Sequence, residues 1–129
     1  MRALDPDDRW GIQDLLSRYC HYFDSGEGDA WADLFTADGV CEVPSLRLAG
    51  REELRALPAM SAERSEGKFR HQITNILTEP TGEGATFKAY GLMTDWREGG
   101  ALMMLATYTG SLTKGPGGWR IVTLKAAPA

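Results

Sequence analysis

The chain has 129 residues, of which 43% are hydrophobic and 25% charged, and carries a formal net charge of -4. That size suits one domain, residues 1–129, around one core, and the composition excludes a disordered chain. The acidic balance excludes nucleic acid as a partner, since no basic stripe is present to neutralise phosphates, and the longest apolar run, Ala101 to Ala106, is far below the roughly 18 residues of a membrane span.

Asp5-Pro6-Asp7-Asp8 reads as a helix start, with Asp as the cap, Pro at the first helical position and acids in the first turn. Ile12, Leu15, Leu16, Tyr19 and Phe23 then recur at helical spacing and define a buried stripe. The helix is expected to stop near Asp24-Ser25-Gly26. Asp29 is expected to cap a short second helix burying Trp31, Leu34 and Phe35, ended by a turn at Asp38-Gly39. Val40 to Val43 and Leu46 to Leu48 are short strand candidates around Pro44-Ser45. A third helix is expected over Gly50 to Leu57, closed by Pro58, and Ala59 to Lys68 reads as a mobile loop.

The remainder reads as strands over Phe69 to Thr78, Ala85 to Trp96, Ala101 to Thr113 and Trp119 to Lys125, joined by Gly-rich turns. Helices first and a strand meander after them predict an α+β fold, with the N-terminal helices packed on a curved, mainly antiparallel sheet. Long strands with exposed Thr, Tyr and Leu positions suggest that another subunit covers the outer face, so a homodimer is expected, with a trimer next. The N-terminus shows no hydrophobic leader, which makes the cytoplasm the expected location.

Cys20 and Cys41 form no CxxC pair and are expected as free, buried thiols. With only His21 and His71, a histidine-rich metal site cannot be built, and neither metal nor cofactor is expected. Period-two alternation over Phe69 to Leu77 puts Phe69, His71, Ile73, Asn75 and Leu77 on an inward face. An imidazole and an amide on an apolar face imply either a satisfied hydrogen-bond pair or a cavity. Asp24 reads as a turn residue or, if turned toward such a cavity, as the acceptor of the His71 Nδ1 proton. Tyr19 is either core packing or a donor to a substrate carbonyl. Asn75 fits a polarising or a structural amide. Asp95 reads as a turn acid before Arg97, and Met60, Met93, Met103 and Met104 as core filling or an adaptable pocket lining.

Several segments together resemble the SnoaL-like branch of the nuclear-transport-factor-2-like superfamily. They are Ile12-Gln13-Asp14-Leu15-Leu16 with Arg18-Tyr19 and Phe23-Asp24, then Asp29 to Gly39, Gly50-Arg51-Glu52-Glu53-Leu54, Arg70-His71-Gln72-Ile73-Thr74-Asn75, and Gly117-Gly118-Trp119-Arg120-Ile121. The resemblance implies a cone-shaped α+β barrel around one deep pocket. It further implies, as in scytalone dehydratase and related dehydratases and dehydrochlorinases, an acid–base dyad matched here by Asp24 and His71, with Tyr19 at a tyrosine found in some members. Scytalone dehydratase uses a second histidine that this chain lacks; Tyr90 or Tyr108 would have to substitute, and the sequence does not say which faces inward. The expected function is a cofactor-independent lyase or isomerase acting by dehydratase-type elimination on a small apolar carbonyl or hydroxy compound, with Asn75, Tyr90, Tyr108 and Met93 as substrate contacts. A ketosteroid-isomerase-like or polyketide-cyclase-like enzyme, or a noncatalytic binding module, is the alternative.

Overall fold

A computed structural model describes residues 3–129. Helix α1 (Pro6–Asp24) starts on a capping box in which Asp5 accepts from the Asp8 backbone N–H at 2.7 Å and Asp8 accepts from that of Asp5 at 3.2 Å. Its stripe Ile12, Leu15, Leu16, Tyr19, Cys20 and Phe23 is buried. The chain turns out of the helix where the Ser25 hydroxyl donates to the His21 carbonyl (2.8 Å) and Gly26 takes φ 72°.

Helix α2 (Gly28–Ala32) is shorter than expected and differently capped. Asp29 is no cap; it lies in the first turn, and its carboxylate accepts from Arg55 Nε at 2.9 Å. Trp31 and Ala32 are buried, but Leu34 and Phe35 leave the helix, and Phe35 opens strand β1 (Phe35–Val43). Tertiary pairing decides this: Ile121 N–H donates to the Leu34 carbonyl at 2.8 Å and Phe35 pairs with Ile121, so the aromatic ring is seated by the sheet. Strand β2 (Leu46–Ala49) follows the Pro44-Ser45 turn.

The expected loop after Pro58 does not exist. Helix α3 runs from Arg51 to Ser65 with Pro58 inside it, and ends on Glu66 at φ 55°. Ala59, Met60, Ala62, Glu63 and Arg64 are helix formers, and the buried Pro58 packs rather than breaks. Gly28 lets α2 approach α3 closely, because a Cβ there would lie 2.0 Å from the Arg55 carbonyl oxygen.

Strands β3 (Phe69–Pro80), β4 (Gly84–Asp95), β5 (Ala101–Gly115) and β6 (Gly118–Pro128) form the meander, each extending to or past most of its expected ends; a single 3₁₀ turn, Trp96–Glu98, links β4 to β5. The six strands make one sheet in the order β2-β1-β6-β5-β4-β3, antiparallel except for the parallel β1–β6 pair. The sheet therefore curves around α1, and the core fills its concave side. Ile12, Leu16, Trp31, Phe35, Leu54, Ile121 and Leu124 are at or below 2% exposure, each burial favouring the fold by about 1.5–3 kcal/mol. This is an α+β architecture with helices on one side of a curved, mainly antiparallel sheet. No described helix is long and apolar enough to cross a membrane.

Candidate active site

The mouth of the cone holds a cavity of about 520 Å³. The last turns of α1 supply Tyr19 and Phe23, β3 supplies Phe69 and His71, and β4 and β5 supply Met93, Met104 and Tyr108. The β1–β2 turn and the second half of α3 close the rim.

Asp24, the last residue of α1, ties the helix to β3. Its Oδ2 accepts the His71 backbone N–H at 2.9 Å, and its Oδ1 lies 2.6 Å from His71 Nδ1. Both side chains are about nine-tenths buried, at 10% and 11% exposure, so solvent screens the pair little. A carboxylate only accepts, so Nδ1 carries the proton of this contact, and in the neutral imidazole the lone pair is then on Nε2. No described residue bonds Nε2. The imidazole also stands edge-on to Phe23, with ring centroids 5.0 Å apart, which fixes its plane.

Tyr19 is buried among Phe23, Trp31, Phe35 and Tyr108, and among the described residues its hydroxyl reaches only Cys41 Sγ, at 3.9 Å. Burial pushes its pKa well above the ordinary phenol value, so it is a neutral hydroxyl. Tyr108 is also buried and its pKa is also raised by burial, but its hydroxyl has no protein partner among the described residues. Its ring occupies space that Gly91 leaves open, since a Cβ at Gly91 would lie 2.1 Å from Tyr108 Cε1. Burial raises Cys20 and Cys41 to about 12, which keeps both as thiols rather than nucleophilic thiolates.

The structure thus brings Asp24, His71, Tyr19, Tyr108 and Met93 to one place and leaves out two expected contacts. Tyr90 is half exposed on the outer face of the sheet. Asn75 is exposed because β3 bulges between Thr74 and Leu77, with Asn75 at φ 56°. The extra residue inverts the alternation: Ile76 turns inward, Leu77 turns out, and Asn75 borders a second groove, lined also by Gln13, His21 and His71, rather than the cavity that holds Tyr108 and Met93. Asp95 is structural. It accepts from the Arg97 backbone N–H, Nε and Nη2 at 3.0–3.1 Å, and those bonds hold its pKa below the usual carboxylate value. Among the described residues no three His, Cys, Asp or Glu side chains converge as a metal site would require.

Sequence reasoning missed the α3 wall as a unit, Leu57, Met60, Ser61 and Arg64, of which only Met60 was expected as a pocket-lining residue. Their i, i+3, i+4, i+7 spacing was the available signal, obscured by reading Pro58 as a stop.

The profile of a SnoaL-like domain matches residues 5–125. A comparison with curated proteins finds no match. Among solved structures, an aspartate-to-asparagine variant of a Mycobacterium tuberculosis protein of unknown function is 30% identical, with a TM-score of 0.86 over 97% of this chain and 76% of that one. An NTF2-like protein with a cystatin-like fold from Novosphingobium aromaticivorans is 23% identical, with a TM-score of 0.83 over 95% of this chain and 82% of that one. A Streptomyces avermitilis protein named as a proposed dehydratase of the NTF2-like family is 22% identical, with a TM-score of 0.79 over 97% and 99% of the two chains.

Proposed function

Because the chain belongs to the SnoaL-like domain family, whose profile spans nearly all of it, we propose that it is a cofactor-independent lyase or isomerase. Its substrate is a small, largely apolar carbonyl or hydroxy compound, and its chemistry is dehydratase-type elimination by proton transfer. The observation that carries this reading is the double engagement of His71 by Asp24, which leaves Nε2 free on a residue lining an apolar cavity.

In the proposed reaction a carbonyl activates a neighbouring C–H bond, and His71 Nε2 removes that proton. Asp24 stabilises the imidazolium as it forms, through the Nδ1–H it already holds. The electron pair released from the C–H bond forms the new double bond as the hydroxyl on the adjacent carbon departs. Tyr108, whose hydroxyl has no protein partner, donates a hydrogen bond to that leaving oxygen, and the imidazolium supplies the proton that completes water. Tyr19 donates to the carbonyl oxygen as it gains charge.

His71→Ala tests this directly. Loss of a general base costs about 10²–10⁴ in rate, so turnover of any substrate found should collapse in protein that still folds and keeps its cavity. Full turnover in well-folded His71→Ala protein would remove the mechanism. A cavity that only binds, with no turnover in the wild type across carbonyl and hydroxy compounds, favours the binding-module alternative.

We further propose a homodimer formed through the outer sheet face. Leu77, Tyr90, Leu102 and Leu105 are 48–67% exposed there, an apolar patch that a soluble monomer rarely leaves bare.

A further inference from the structure

The α3 wall of the cavity carries a charge. Leu57, Met60, Ser61 and Arg64 form one face of the helix, and among the described residues Arg64 is the one Lys or Arg that lines the cavity. Its guanidinium makes no ion pair or hydrogen bond with any described residue; only its backbone carbonyl is used, accepting from Arg97 Nη1 at 3.2 Å. Other arginines of α3 are committed. Arg51 pairs with Asp33, and Arg55 with Asp29 at 2.9 Å. The free charge at the cavity is therefore a local feature of a chain whose net charge is -4.

Two hydroxyls accompany it. Ser61 lies one turn before Arg64, and Ser45 sits in the β1–β2 turn on the same cavity, and neither side chain has a hydrogen-bond partner among the described residues. Ser45 is held at φ 67°, a left-handed conformation that an L-residue other than Asn or Gly adopts at a cost. The exposed lining residues, Leu46, Met60 and Arg64, mark the mouth, and the buried ones, Tyr19, Phe23 and Tyr108, mark the interior. The cavity is thus polarised: an uncommitted cation and two hydroxyls at the entrance, apolar and aromatic walls inside, His71 among them.

We infer that the substrate is an amphipathic carboxylate, with its apolar body in the cone and its carboxylate at the mouth on Arg64, supported by Ser45 and Ser61. This rests on the elimination reading and adds the substrate class to it. One planar guanidinium offers the paired N–H groups that a carboxylate accepts, whereas a phosphate dianion calls for more cations than the mouth provides. The reacting carbon then lies toward His71, away from the anionic end.

The test is a binding measurement, independent of turnover. Calorimetry on the whole chain would compare 2-naphthoate with its uncharged isostere 2-naphthamide. The wild type should favour the carboxylate by about threefold to tenfold, the range of a partly exposed charge-assisted contact, and added salt should erode the preference. Arg64→Gln should abolish it, and Arg64→Lys should retain part of it as a point charge. Equal affinities in the wild type, binding of neither probe, or a preference that survives in folded Arg64→Gln protein would overturn the inference. His71→Ala should keep the preference while losing turnover. If it keeps both, the elimination reading falls and the carboxylate site stands; if the preference is absent and His71→Ala is inactive, the reverse holds.

Discussion

Asp24 divides its two oxygens between the backbone and the ring of one residue. Asp24→Asn keeps the size but turns one of those acceptors into an NH₂ group, which must face either the His71 N–H or Nδ1. We expect turnover to fall about 10²–10⁴-fold and stability to fall by about 1–3 kcal/mol, because a buried donor loses its partner. His71→Ala keeps the backbone bond to Asp24, so the two variants should match in inactivity and differ in melting temperature. The two cysteines make a pH prediction. Their folded pKa is about 12 against an ordinary 9.0. From pH 9 upward the unfolded chain has lost protons that the folded chain still holds, so unfolding becomes easier as pH rises through that window. Denaturation curves across pH 8–11 on Cys20→Ala/Cys41→Ala protein should show a flatter decline than the wild type. At this scale the sequence was informative where a strand was regular and silent where it was not. His71 could be placed inward from simple alternation, but Asn75 follows it into a bulge that its tolerance of positive φ permits and the alternation does not reveal. Tyr108 rather than Tyr90 faces the cavity because β4 and β5 are in register with Ala89 opposite Tyr108 and Gly91 opposite Ala106, which is a pairing fact.

Helix and strand ends were legible where a side chain caps them, as at Asp5, and illegible where a neighbour decides. Phe35 is in a strand because β6 lies beside it, and α3 continues through Pro58 because its flanks are helix formers and its face packs. The close approach of α2 to α3 gives a sharp test. Gly28→Ala would place a methyl carbon on the Arg55 carbonyl, and overpacking of this kind costs about 1–3 kcal/mol. Chemical denaturation should report that loss, and binding at the cavity should weaken as the α3 wall is pushed outward. In β3 the bulge predicts opposite effects at one position. Asn75→Gly should be close to neutral at φ 56°, and Asn75→Val should lower the melting temperature, because a β-branched residue resists that conformation.

For the whole molecule, helix-then-meander order was enough to give the fold class, since each hairpin is local. The proposed dimer concerns the opposite face of the same sheet. Tyr90→Lys with Leu105→Lys should shift a dimer toward monomer by light scattering at micromolar concentration, with the cavity unaffected; a wild type that is monomeric under those conditions overturns the proposal. The parallel β1–β6 pair was not foreseeable, and it has a consequence in time rather than space. Strand β1 emerges early in synthesis, yet the neighbour that completes its hydrogen bonds, and seats Phe35 through Ile121, is the last strand made. Until then β1 has only the short β2 beside it, and an unpaired strand edge invites association with other chains. Closing that long loop is the entropic step of folding. Refolding should accordingly be slow for the chain's size, with the fluorescence of Trp31, which packs against Phe35 at 4.9 Å, recovering only as β6 docks.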